Sequence, residues 1–210
     1  MAHWKQAALG FRVHSGWTAM VAVCMEGGEP VVLARKRARL VEDFAYTFRQ
    51  PYHTAKKMEL REARAFVARM RAESRRLAYR AIRDVEEDVR QQGAKLTRCG
   101  LLLASGRELP GLEKILSSHA LIHTADGELF REALVNASAR SGLRDFTIKE
   151  KELLDRAAQV FRAKPAQLMR RVTELGRSLG APWSQDEKFA TLAAWLALSP
   201  APKRDGRTRS

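Results

Sequence analysis

Cys99-Gly-Leu-Leu-Leu-Ala-Ser-Gly-Arg-Glu-Leu-Pro110 is the stretch whose reading decides the fold. Its apolar run, from Leu96 through Ala104, shows no polar alternation and ends at a glycine turn, as a strand buried on both faces does. The turn Ser105-Gly106-Arg107 then leads to a short helical segment at Pro110. Beyond it come His119 and His123, and an acidic turn (Asp126, Glu128) that opens a helix over residues 127–140. Polar groups that follow a buried strand and flank helix starts occupy the ligand position of open α/β sheets. A site is therefore expected here.

Upstream, residues 8–41 read as three strands. Leu9, Phe11 and Val13 alternate with Gly10, Arg12 and His14, which is the period of a half-buried strand. Ser15-Gly16 marks a turn, Trp17 to Cys24 is a second strand, and Glu26-Gly27-Gly28-Glu29-Pro30 connects it to a third. On that third strand Arg35, Arg37 and Arg39 share one face, either as a backbone-binding surface or as charges that protect a sheet edge. Residues 44–57 are irregular and aromatic (Phe44, Tyr46, Phe48, Tyr52), a composition that suits base stacking or packing over the sheet. From Glu59 to Gln92 runs the longest helix, roughly 50 Å at the usual rise. Ala63, Phe66, Val67, Met70, Ile82, Val85 and Val89 form its apolar stripe. Its early arginines oppose the helix macrodipole, because acids gather at the end (Asp84, Glu86, Glu87, Asp88). Arg61, Arg64, Arg71 and Arg75 fall on one helix face and are the expected phosphate contacts.

Downstream, residues 144–149 form a short strand, and three helices close the chain. The second carries Leu168, Val172, Leu175 and Leu179 at near-heptad spacing, a stripe for a partner or a second copy. Ser184 and Glu187 form a capping box for the third.

The chain has 210 residues, a net charge of +14 and 45% hydrophobic residues. That size accommodates one domain with a helical appendage, and the charge favours an acidic partner such as nucleic acid. Cys24 and Cys99 read as reduced core thiols. No run is long enough to cross a bilayer, and the N-terminal stretch lacks a signal peptide's apolar core, so a cytoplasmic protein with no membrane partner is expected. Phosphate-loop, serine-elbow and His-Glu-x-x-His motifs are absent from the sequence.

Three antiparallel strands, a long helix, a strand, a helix, a strand and closing helices follow the order of the ribonuclease H-like fold. The opening Leu9-Gly-Phe-Arg-Val-His-Ser-Gly-Trp-Thr-Ala-Met-Val-Ala-Val23 resembles the first hairpin of that group, which includes Holliday-junction resolvases and actin-like kinases. The resemblance covers roughly residues 8–150 and implies an α/β fold with a mixed sheet, assigned to residues 1–150. The periodicity beyond it reads as a helical extension over 151–199, and the charge after Pro200 as a disordered basic tail over 200–210. The resemblance also implies a carboxylate midway along the first strand to hold Mg²⁺, but Arg12 stands there. At the end of the fourth strand only Glu108 could serve as the second acid.

Two kinds of chemistry are legible. Ser105, Gly106 and Arg107 offer backbone N–H groups and a guanidinium to an anion, or form a plain strand-to-helix turn. His119 and His123, with Glu108, are candidate catalytic groups. On a helix their spacing would let them share a metal with Asp126 or Glu128, but Ser-Ser-His-Ala-Leu-Ile-His-Thr alternates like a strand. Structural histidines and no cofactor are therefore expected, with a divalent metal as the alternative. The leading functional reading is a nucleic-acid-binding protein that is not a two-metal nuclease. The alternatives are a hydrolase or phosphotransfer enzyme using the histidines, and an interaction module that dimerises through the C-terminal helices.

Overall fold

The computed structural model describes residues 4–103 and 108–199. The expected anion turn Ser105-Gly106-Arg107 and the tail from Pro200 lie outside the described residues. Strands β1 (Lys5–His14), β2 (Trp17–Glu26) and β3 (Glu29–Arg39) form an antiparallel meander. After two short helices, α1 (Tyr46–Arg49) and α2 (Pro51–Ala55), comes the long α3 (Leu60–Gln91). Strand β4 (Ala94–Leu103) then pairs parallel to β1. Helices α4 (Leu112–Leu116) and α5 (His119–Arg140) lead to β5 (Arg144–Lys149), parallel to β4. The sheet order is β3-β2-β1-β4-β5, and α6 (Leu153–Phe161), α7 (Pro165–Leu175) and α8 (Gln185–Leu198) follow. This is the ribonuclease H-like mixed sheet with C-terminal helices. Among the described residues no helix is long and apolar enough to cross a membrane.

Alternation along β1 sets the layers. Ala7, Leu9 and Phe11 enter the core shared with α3 and α5, whereas Ala8 faces the core beneath α8. Helix α3 buries Ala63, Phe66, Val67, Met70, Ile82, Val85 and Val89, the stripe its sequence carries. Each large side chain so buried contributes about 1.5–3 kcal/mol. The buried Ser74 hydroxyl donates to the Leu40 carbonyl at 2.8 Å, which satisfies it within that apolar face.

Helix α8 is of another kind. Every residue from Phe189 to Ala197 is buried, as in a helix enclosed on all sides. It lies across β1, β2 and β4, where register places Gly10 beside Gly100. A Cβ on Gly10 would stand 1.8 Å from the Ala190 carbonyl oxygen, and one on Gly100 would stand 2.3 Å from that of Ala193. The two bare positions let the helix backbone settle onto the sheet.

The structure departs from the sequence reading in three places. Residues 44–57, expected as irregular, contain α1 and α2, with Pro51 at the first position of α2, where its missing N–H costs nothing. Helix α5 starts at His119, two turns before the expected residue 127, capped by Ser118, whose hydroxyl accepts the Leu121 N–H. Ile122, Ala125, Leu129, Phe130 and Ala133 already follow helical spacing there, and they outweigh the short alternation around the histidines. The C-terminal stripe is divided: Leu168 and Val172 are buried with Leu153 and Trp195, whereas Leu175 ends α7 half-buried and Leu179 lies half-buried beyond it.

Candidate functional site

Strands β1, β4 and β5 point their carboxyl ends the same way, and two side-chain clusters gather at that edge, one on each side of the sheet. On the α8 side the centre is Arg12. Its Nε and Nη2 donate to the two oxygens of Glu150, just past β5, at 3.2 and 2.7 Å. Its Nη1 donates to Asp186, in the first turn of α8, at 2.7 Å. The guanidinium also lies 5.0 Å from the centre of the Phe189 ring. His14, two residues further along the same face of β1, meets Asp186 at 2.7 Å and stacks on Trp17.

The edge strand β3 completes this cluster. Arg37 donates to Glu187 at 2.7 Å and lies over the Trp17 ring. Arg35 donates to the carbonyls of Gly180 at 2.8 Å and Pro182 at 2.6 Å. These side chains fasten the segment leading into α8 onto the sheet. Arg39, the third arginine of that face, stays exposed and lies over the Phe44 ring.

Where the resemblance implied a metal-binding carboxylate on the first strand, the guanidinium of Arg12 stands between Glu150 and Asp186. Arg12 and Arg37 pair with all three carboxylates, Glu150, Asp186 and Glu187, between them, and the bond to Glu150 raises the Arg12 pKa further. A second cation would meet carboxylates that are already paired. The two-metal set does not fit these residues.

Glu187 is fully buried. Burial alone would raise its pKa, but bonds from Arg37 and from the Ser184 hydroxyl and N–H outweigh that and hold it at about 2. A carboxyl depressed in the folded state contributes stability above its unfolded pKa and loses it as pH falls toward the folded value. With the exposed side of Arg37 screened by water, the loss between about pH 4.5 and pH 2 should amount to about 2 kcal/mol. Urea melts of the wild type and Glu187→Gln will show it: the wild type's advantage at pH 6 should be gone near pH 2. An advantage unchanged across that range would contradict the ion pair.

On the α5 side, three histidines converge. His119 and His123, one turn apart at the start of α5, place their Nε2 atoms 3.0 Å from one another. The His53 ring, from α2, lies 4.4 Å from that of His123 and 5.5 Å from that of His119, centre to centre. One ring nitrogen from each lies within 4.8 Å of the other two. Asp126 is not beside the two α5 rings as a further ligand but buried behind His53. Its Oδ2 meets His53 Nδ1 at 2.5 Å, and its Oδ1 accepts the Tyr52 N–H at 2.7 Å in the first turn of α2. Burial raises the Asp126 pKa, an effect these two bonds offset in part.

The remaining sequence candidates scatter. Glu108 is exposed and outside the histidine group, and Glu128 pairs with Arg131. Of the expected phosphate-binding face on α3, Arg71 donates to the Tyr52 hydroxyl and Arg75 pairs with Glu132. Arg61 and Arg64 are exposed, with no carboxylate partner among the described residues. From sequence, His14 and His53 were expected to converge on the turn after the fourth strand; His53 instead joins the α5 pair, and His14 meets Asp186. What no spacing showed was the proline-started helix α2 that carries His53 to α5. A cleft of about 790 Å³ near Trp4, Glu86 and Arg144 lies at the amino ends of β4 and β5, away from both clusters.

The order of strands and helices, with a sheet covered on both faces, defines a ribonuclease H-like fold. Among solved structures, the chain is similar to Thermus thermophilus RuvC. The structure described as T. thermophilus RuvC in complex with Holliday junction substrate matches with a TM-score of 0.50 and 11% identity, covering 91% of this chain and 90% of that one. The structure described as Thermus thermophilus RuvC matches with a TM-score of 0.46 and 11% identity, covering 90% of each. No protein-family model and no curated protein matches the chain. At this identity the likeness establishes the fold alone.

Proposed function

We propose that the protein binds nucleic acid along the carboxyl edge of its sheet and does not cleave it by a two-metal mechanism. The observation that carries the binding half is the exposed Phe44 ring. Arg39 lies 5.2 Å and Arg49 4.8 Å from its centre, so an aromatic face is framed by two cations. Tyr46 is exposed next to it, and Lys56, Lys57, Arg61 and Arg64 follow on the exposed chain entering α3. Rings that stack bases and cations that follow a phosphate chain are what a single-stranded segment needs. The net charge of +14 adds long-range attraction. A shared fold with a RuvC structure described as a complex with Holliday junction substrate supports the same class of partner. The arginine-filled carboxylate position supports the second half of the reading.

The test is a salt titration of binding to single-stranded, duplex and four-way-junction DNA and to RNA, with the full chain and a version ending at Ser199. Four phosphate contacts predict an affinity loss of about a hundredfold between 50 and 200 mM salt. Phe44→Ala should weaken single-strand binding at least several-fold. Affinity independent of salt, or binding that disappears with the tail, would overturn the binding site. Cleavage strictly dependent on Mg²⁺ would overturn the rest.

A second reading, a hydrolase or phosphotransfer enzyme, is favoured by the convergence of His53, His119 and His123. It requires turnover that His123→Ala abolishes.

A further inference from the structure

We propose that His53, His119 and His123 form a site for one divalent transition-metal ion of the zinc class, with Asp126 as the buried carboxylate that orients His53. This stands apart from the nucleic-acid reading and uses none of its residues. The chain has five histidines, and three of them, from two separate helices, meet at this point. Helical spacing brings His119 and His123 onto one face, with their Nε2 atoms 3.0 Å apart. Two nitrogens bound to one tetrahedral ion lie about 3.3 Å apart, given bonds of about 2.0–2.1 Å. The 4.8 Å spread of the three nitrogens needs only side-chain rotation to close around an ion.

The chemistry of the neighbours points the same way. An ionised carboxylate can only accept, so Asp126 places the proton of His53 on Nδ1 and leaves Nε2 with a free lone pair. A buried carboxylate behind a ligating imidazole fixes its tautomer and makes it a better donor to a metal. Asp126 is 3% exposed, and burying it carries a desolvation cost. His119 and His123 are exposed, so the remaining coordination position faces solvent. Three imidazoles suit Zn²⁺, Co²⁺, Ni²⁺ and Cu²⁺, whereas Mg²⁺ and Ca²⁺ prefer oxygen donors. Three histidines with an open fourth position are also a donor set of catalytic zinc sites that activate water, which would give the enzyme reading its centre.

The experiment uses the untagged full chain, stripped with a chelator and titrated with Zn²⁺ against a chromophoric competitor and with Co²⁺ by visible absorption. The expected result is one ion per chain, a tetrahedral Co²⁺ spectrum, and no competition from millimolar Mg²⁺. Because His119 and His123 are exposed, the His119→Ala/His123→Ala variant should fold as the wild type does and lose the ion. It retains His3, His14 and His53, so only weak background binding by separate imidazoles should remain. Asp126→Asn should bind about 10–100-fold more weakly, with its folding checked by melting. Binding unaffected by the double variant, a non-tetrahedral Co²⁺ spectrum, or displacement by Mg²⁺ would each overturn the proposal. None of these readouts involves nucleic acid, so failure of the binding reading leaves them intact.

Discussion

Gly10→Ala will cost the fold about 3 kcal/mol or more, as will Gly100→Ala, although each adds one methyl group. The reason is what that group would meet. At Gly10 it would stand 1.8 Å from the Ala190 carbonyl oxygen and 2.8 Å from the Ala194 nitrogen, and at Gly100 2.3 Å from the Ala193 carbonyl oxygen. These are backbone atoms of a helix buried along its whole face, so no side chain can rotate aside. Relief requires α8 to lift from β1 and β4, which opens the core around Ala190, Ala193 and Ala194. It also draws Asp186 and Glu187 away from Arg12 and Arg37. Against a total stability of about 5–15 kcal/mol for an ordinary domain, that loss is large. Gly27→Ala is the control. Its φ of 57° strains an alanine, but no heavy atom lies within 4 Å, so it should cost about 1 kcal/mol. Denaturant melts that place Gly10→Ala within 1 kcal/mol of the wild type would contradict the close seating of α8.

The same packing explains what was legible in the sequence. Helix α3 was readable because its one buried face recurs at the helical period, and strands β1 to β3 because their strand-forming runs are separated by glycine turns. The unbroken apolar run in β4 was readable because the strand is covered on both sides. Glycine at positions 10 and 100 carried no such period. Its meaning lies in a helix about ninety residues beyond Gly100 in the chain, and the gap was invisible until that helix was placed. Helix α5 was misjudged at its start because eight residues around His119 and His123 alternate by chance, while the helical spacing that decides the matter begins at Ile122.

The sites were legible in proportion to how local they are. His119 and His123 stood out because they are four residues apart. His53 contacts them through a turn of tertiary structure, and no spacing rule connects residues 53 and 119. Arg12 was recognisable as a departure from the resembled pattern, but its partners Glu150 and Asp186 lie 138 and 174 positions away. The arginines of β3 were read as solvent-facing because a basic strand edge is a common protective device. The carboxylate and carbonyl partners of Arg35 and Arg37 belong to the last quarter of the chain, so nothing near them in sequence announced a fastening role.

Arg12→Asp should turn a protein indifferent to Mg²⁺ into one that Mg²⁺ stabilises. The substitution removes the cation between Glu150 and Asp186 and adds a third carboxylate in its place. Arg12 and Asp186 are 16% and 17% exposed, so water screens the resulting repulsion only in part. Breaking a fully buried pair costs about 3–5 kcal/mol, and this half-buried one should cost about 2–3 kcal/mol. Carboxylate oxygens grouped at one point are what a hard divalent ion binds. With an ion affinity near 1 mM, 10 mM Mg²⁺ would return about 1.4 kcal/mol of that loss. Arg12→Met separates the two effects, since it removes the positive charge without supplying a ligand. It should be destabilised less than Arg12→Asp and should respond less to Mg²⁺. Melting curves of the three proteins with Mg²⁺ or a chelator decide the matter. If Mg²⁺ stabilises the wild type as much as Arg12→Asp, Arg12 does not occupy a cation's place. If it stabilises neither, the carboxylates around Arg12 are arranged for a guanidinium alone. A response confined to Arg12→Asp would mean that one side chain on the first strand separates an ion-paired scaffold from a metal-binding edge.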